Sequence, residues 1–248
     1  MKITKTAFII IPIIVIVAIT CHFIFRKKQI NPVTGKAQAI SLTPEQEVAV
    51  GIACAPQLAA EFGGLYPNRQ WQKKIKAIGR KLVAPSPAAK SSYQFDFHLL
   101  ADSQAVCTYA LPGGQIFITL GMFKKLKTDD DLAAVLSHAI GHVIGRHASE
   151  KLFKTKLLQT SNDSINLHDS ARQTSKYLSN FMAMTYDDED EIEADALSIQ
   201  YMAKAGYDPK VVVSVFEMLK ENSDMSLKHP VTTDRIEKMK EAIQKFKN

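Results

Sequence analysis

The sequence predicts a mainly helical α+β fold: a single domain with a small sheet, preceded by one transmembrane helix. Three observations lead there. An uncharged apolar run opens the chain, capped helical patterns recur after it, and three short strand-like runs cluster between Phe95 and Leu120. With 248 residues, 46% of them hydrophobic, the chain can bury one substantial core and little more.

Ala7 to Phe25 is a run of 19 residues, rich in Ile and Val and without Asp, Glu, Lys or Arg. As a helix it would reach about 28 Å, close to a hydrocarbon core of roughly 30 Å. No small-x-small cleavage site separates it from Arg26-Lys27-Lys28, which argues against a removable leader. Ala18-Ile19-Thr20-Cys21 matches a lipoprotein box poorly, because Thr precedes the Cys. Lys2 and Lys5 oppose Arg26, Lys27 and Lys28 across the run, so charge alone leaves its orientation open.

Beyond a linker, Thr43-Pro44-Glu45-Gln46 is a capping signal with Pro at the first helical position, and its helix should reach about Glu61. A second helix should start near Asn68, with Trp71, Ile75, Ile78 and Leu82 on one face, and end at Pro85-Ser86-Pro87. Phe95 to Leu100, Ala105 to Ala110 and Gln115 to Leu120 then read as strands. Thr128 followed by Asp129-Asp130-Asp131 caps a further helix, whose Leu132, Ala133, Val135, Leu136, Ile140 and Val143 give the pattern of a buried element. Lys156 to Asp187 is polar and Ser/Asn-rich, which suits either a mobile excursion near a cleft or an exposed helix pair. Three more helices should follow: Glu189 to Ala205 closed by Gly206, one capped by Asp208-Pro209 through about Leu219, and Thr233 to Lys247. There is no internal repeat and no second domain. The chain divides into an N-terminal membrane anchor at 1–28, a linker segment at 29–42 and one domain at 43–248.

The formal charge of +6 invites a nucleic-acid reading, so its location matters. Residues 1–39 carry six Lys or Arg and no Asp or Glu, which leaves 25 basic against 25 acidic residues beyond them. The globular part is neutral, and a basic nucleic-acid surface is excluded. Cys54 and Cys107 define no disulfide framework and read as small buried side chains.

His138-Ala139-Ile140-Gly141-His142 carries the chemistry. Two histidines four apart on a helix project from one face about one turn apart and can share a tetrahedral Zn²⁺. Zinc proteases place H-E-x-x-H at this spacing, and the Glu takes a proton from the attacking water. Ala139 stands at that position and cannot accept a proton. A catalytic zinc site takes three protein ligands, and His147 is badly spaced to be the third. Five residues along a continuous helix turn about 140°, which marks it as a solvated or hydrogen-bonding surface histidine. Glu191-Ile192-Glu193-Ala194-Asp195 is better placed. Glu191 and Asp195 are i, i+4, so one carboxylate can reach a metal while the other orients a histidine, and Glu193 projects elsewhere.

With these motifs on the page the chain resembles the membrane-associated zinc metalloendopeptidase family that includes HtpX, the CAAX prenyl endopeptidases and the envelope proteases LoiP and BepA. That gluzincin-type family pairs H-E-x-x-H with a downstream E-x-x-A-D. Four further stretches match it: Asn31 to Lys36 with Leu42 to Glu47, Tyr109 to Gly114 with Gln115 to Leu120, Gly145-Arg146-His147, and His229-Pro230 with Arg235. The resemblance implies a single zincin-like metalloprotease domain holding one Zn²⁺ per chain through His138, His142 and Glu191, with Asp195 behind a histidine ligand. It implies that Gly113, Gly114, Gln115, Ile116, Phe117 and Ile118 form a turn and an edge strand against which an extended substrate lies. His229 would be a further metal contact or an oxyanion stabiliser, and Arg235 would lie near the active site. Resemblance to envelope proteases places the domain in the periplasm or otherwise outside the cytoplasm.

Two functional readings result. The first is a membrane-anchored zinc metalloendopeptidase of envelope protein quality control, acting on unfolded or membrane-protein substrates and impaired by Ala139. The second is a natural pseudoprotease that binds clients as a chaperone or adaptor. Retention of His138, His142, Glu191 and Asp195 favours an engineered or recent change at position 139, because an old pseudoenzyme need not keep a whole metal site.

Overall fold

A computed structural model of the chain describes residues 28–154, 171–221 and 228–245. The predicted anchor Ala7 to Phe25, with Cys21 in it, lies outside the described residues. Among the described residues no helix is long and apolar enough to cross a membrane.

The segment read as a linker opens with a hairpin. Strands β1 (Lys28–Ile30) and β2 (Ala37–Ala39) pair antiparallel, Lys28 opposite Ala39. Asn31 shapes the turn, its Oδ1 accepting from the amides of Val33 and Thr34 at 2.9 and 3.1 Å. Helix α1 (Pro44–Glu61) follows behind the expected capping box of Thr43 and Gln46. Helix α2 (Arg69–Val83) is capped by Asn68 and buries Ile75, Ile78 and Leu82.

A three-stranded sheet comes next, built from β3 (Asp96–Leu100), β4 (Thr108–Ala110) and β5 (Gln115–Thr119) in the spatial order β3-β5-β4. Here the structure corrects the sequence reading. Gly113, Gly114, Gln115, Ile116, Phe117 and Ile118 lead into the central strand, not an edge strand. β5 runs parallel to β3, with Asp96 opposite Gln115, and antiparallel to β4, with Thr108 opposite Ile118. Its main-chain groups are committed on both sides, so a substrate strand cannot add there. The signal was present in the sequence, since Ile116-Phe117-Ile118 is a continuous apolar run of the kind that marks a strand buried on both faces, and all three are at most 1% exposed. β5 also stops one residue early. The Thr119 hydroxyl accepts from the Met122 amide and starts the short helix α3 (Leu120–Lys125).

Helix α4 (Asp129–Gly145), capped by Thr128 and Asp131, is buried at every position from Leu132 to Gly145. A helix apolar on nearly all sides belongs inside a core, and α4 packs against α2, α7 (Asp188–Ala205) and α8 (Val211–Lys220). Gly141 sets the closest approach: a Cβ there would stand 2.7 Å from the Ala194 carbonyl oxygen on α7. The hairpin closes the other end of α4, Asn31 Nδ2 donating to the Ile144 carbonyl at 2.7 Å and Gln38 Nε2 to that of Gly145 at 2.6 Å. These are carbonyls that a helix cannot satisfy internally. Helix α5 (His147–Lys154) continues from there.

Within the polar stretch Lys156 to Asp187, residues 171–183 form helix α6 (Ala171–Ala183), which lies on α1 through a Gln57 to Ser175 hydrogen bond of 2.8 Å. Helix α9 (Thr233–Gln244), capped by Thr232, packs on α7. Cys54 and Cys107 are both buried.

Candidate metal centre

Helices α4 and α7 bring the ligand candidates together from opposite sides. His138 and His142 turn their Nε2 atoms to within 3.0 Å of each other. Glu191, in the first turns of α7, puts Oε2 3.4 Å from His138 Nε2 and Oε1 3.5 Å from His142 Nε2. His229 enters ahead of α9, its Nδ1 2.8 Å from Glu191 Oε1 and 3.4 Å from His138 Nε2. All four residues are buried, and one ligand atom from each lies within 4.8 Å of the others.

Behind this group stands a chain of charges. Asp195, one turn beyond Glu191, places Oδ1 2.9 Å from His138 Nδ1. Arg235 grips Asp195 with Nε and Nη2, both at 2.9 Å, sets Nη1 2.9 Å from Glu191 Oε2 and donates to the Pro230 carbonyl at 2.7 Å. Burial pushes the His142 imidazolium well below its ordinary range, so that ring is neutral. Burial also opposes ionisation of Glu191, but the neighbouring His229 holds its carboxyl well below the usual carboxylate range. The donor set fits a divalent metal. In a neutral His138 ring, a proton on Nδ1, the nitrogen that faces Asp195, leaves Nε2 a bare lone pair. Two such nitrogens 3.0 Å apart beside an ionised carboxylate are a favourable cradle for a cation and a poor arrangement without one.

Residues 69–243 match peptidase family M48. The chain belongs to this family. Among proteins it is similar to, the mitochondrial metalloendopeptidase OMA1 of Arabidopsis thaliana is 30% identical over 60% of this chain and 30% of that protein. The protein of the same name from Schizosaccharomyces pombe is 27% identical over 67% of this chain and 51% of its own length. The beta-barrel assembly-enhancing protease of Yersinia pestis is 25% identical over 83% of this chain and 45% of its own length. The chain therefore spans about half the length, or less, of these relatives.

The centre opens on a cleft walled by β4 and α4 and by Phe181, Met184, Tyr186 and Phe216. Ala139 lies on that wall beside His138 and His142 and is 3% exposed. Among the described residues lining the cleft there is no Asp or Glu.

The reading of His147 changes. His147, read as a surface histidine, is 0% exposed and its Nδ1 is 3.0 Å from His142 Nδ1. The helical step of about 140° does not apply, because α4 ends at Arg146 in the left-handed region, φ 57°, and α5 restarts in a new direction. Glu193 stands outside the metal group, as expected, and lies 3.4 Å from His147 Nε2. The sequence reading missed Tyr186, whose ring centroid is 4.1 Å from that of His142, and Phe216, 4.8 Å from that of His138. Phe181-Met182-Ala183-Met184, an apolar cluster just before the Asp187 cap, was the available signal.

Proposed function

We propose that this M48 chain is a membrane-anchored, zinc-dependent metalloendopeptidase of envelope protein quality control, in a form that lacks its general base. The observation that carries the reading is the convergence of His138, His142 and Glu191 on one buried point, with His138, Ala139 and His142 lining the cleft above it. One zinc per chain would be held by those three side chains, with His229 as a further contact. Bound there, zinc supplies Lewis-acid activation of a water and of the scissile carbonyl.

The chain's own residues do the rest. Asp195 fixes the His138 ring through Nδ1, and Arg235 holds Asp195 and Glu191 in one arrangement. Val135, Phe181, Met184 and Phe216 give the cleft apolar walls that suit the side chains of an unfolded or membrane-protein segment. The Tyr186 phenol, pushed up by burial, stays neutral above His142. Ala139 offers no acceptor for the proton of the attacking water, so the step that a glutamate performs is not served.

The names of the relatives, a mitochondrial metalloendopeptidase and a beta-barrel assembly-enhancing protease, support protein substrates associated with membranes. Ala7 to Phe25 would anchor the chain within residues 1–28, with 29–42 leading to the peptidase domain at 43–248 outside the cytoplasm. The rival reading, a client-binding pseudoprotease, draws on the same cleft, which has no carboxylate among its described lining residues.

Ala139→Glu separates the two. With metal site and cleft in place, the new carboxylate should create chelator-sensitive cleavage of an unfolded protein such as casein. General-base catalysis contributes roughly 10²–10⁴-fold, about 3–5 kcal/mol of barrier, so the gain should be unmistakable. Zinc content should barely change. A folded, zinc-loaded Ala139→Glu protein that cleaves no faster than the parent would leave client binding as the better account.

A further inference from the structure

We infer that His147, held in turn by Glu193 and Lys36, is a positioning residue for the ligand His142: it sets which nitrogen of that imidazole carries the proton and keeps Nε2 open to the metal. The inference rests on the zinc reading above and adds residues that reading does not use. His138 has a carboxylate, Asp195, directly behind it. His142 has another imidazole. Its Nδ1 is 3.0 Å from His147 Nδ1, with the two rings at 83° to each other. The far nitrogen of His147, Nε2, lies 3.4 Å from Glu193 Oε2 and 3.9 Å from Asp190 Oδ1. Lys36 Nζ, from the turn of the N-terminal hairpin, closes the row at 3.2 Å from the same Glu193 oxygen and 3.0 Å from Glu189 Oε1.

With both imidazoles neutral, the protons in this row run in one direction. An ionised carboxylate accepts and never donates, so His147 presents Nε2–H to Glu193. Neutral His147 then has a bare Nδ1, which accepts from Nδ1–H of His142. That leaves the Nε2 of His142 as a lone pair directed at His138 and Glu191, which is what a metal ligand requires. A carboxylate thus orients both histidines, in one case at first hand and in the other through an intervening ring.

The local fold is committed to this ring. Arg146 is the only non-glycine residue with positive φ among the described residues, a conformation that crowds its Cβ. It is held there by Glu47 at 3.1 and 3.2 Å, by Gln29 at 2.8 Å and by the Leu42 carbonyl at 2.8 Å. That turn brings His147 back toward the metal group. Gly145 vacates the space the ring occupies, since a Cβ there would stand 2.2 Å from His147 Nε2.

The test uses the full-length chain in detergent, titrated with zinc against a chelating dye, with folding followed by circular dichroism. His147→Phe keeps a ring without nitrogens and should weaken zinc binding about 10–100-fold, the range for losing a partner that orients a ligand. His147→Gln offers an amide oxygen to His142 Nδ1 and should recover most of that loss. Glu193→Gln should weaken binding by a smaller factor. A folded Phe variant that binds zinc as tightly as the parent, or a Gln variant as weak as the Phe variant, overturns the inference. If the Phe variant does not fold, unchanged affinity in Glu193→Gln does the same. A parent chain that binds no zinc removes the metal reading itself and this inference with it, a result told apart because no variant then has affinity to lose.

Discussion

Arg235 shows how much one side chain can hold in place. It is fully buried, its guanidinium meets Asp195, Glu191 and the Pro230 carbonyl, and its own charge is reinforced against burial by the two carboxylates. Truncating it to Arg235→Met would leave two carboxylates buried without their cation. Breaking a buried pair from one side typically costs about 3–5 kcal/mol, so chemical denaturation should show a loss of that order, with zinc binding weakened as Glu191 and Asp195 relax. Most residues of the centre were legible in the sequence because their spacing encodes chemistry: His138 and His142 by one helical turn, Glu191 and Asp195 by another. His147 was misread for a physical reason. Its position depends on one backbone torsion at Arg146, which residue spacing does not report.

Helices α4 and α7 carry the ligands, and their separation is set at Gly141. A β-branched side chain there cannot reach across 2.7 Å to main-chain atoms of Ala194 without moving one helix. Gly141→Val should therefore destabilise the fold by at least about 1–3 kcal/mol, the usual cost of overpacking. It should also reduce zinc stoichiometry in protein that still folds, because Glu191 withdraws from the imidazoles. Thermal unfolding and metal analysis on the same sample check both outcomes. The caps and periodicities that define these helices were readable, since Thr43, Asn68, Thr128 and Gly206 act within a few residues of themselves. Strand order was not. Gln115 to Thr119 has the composition of a strand, but whether it lies at an edge or in the middle depends on partners 6 to 19 residues away in the chain.

At the scale of the molecule, a metal that binds only the folded state adds stability by mass action. At a thousandfold excess over Kd this is about 4 kcal/mol, and in a chain of this size each kcal/mol moves Tm by about 2–4 °C. Chelation should lower Tm by roughly 10 °C, and Glu191→Gln should both lower Tm and abolish the response to chelator. A Glu191→Gln protein that keeps stoichiometric zinc would remove that residue from the site. The Ala7 to Phe25 run makes a separate prediction: the full-length chain should stay in the membrane fraction through alkaline carbonate and need detergent for extraction. Release by carbonate, or a mature N-terminus beyond Phe25, would count against the anchor.

What the sequence by itself determined is whatever a short stretch of chain settles internally: helix limits, caps, the neutral globular charge, the histidine pair and the absence of a proton acceptor at Ala139. These follow from spacing and side-chain chemistry, which act over one or two turns. Only the tertiary structure decided what stands next to what across long separations. His229 and Arg235 reach the centre because α9 packs on α7, Tyr186 and Phe216 cover it from two other segments, and β5 is enclosed because β3 and β4 both pair with it. Such neighbours are chosen by packing the whole core, where many apolar surfaces compete for burial at once, and no local pattern records the outcome.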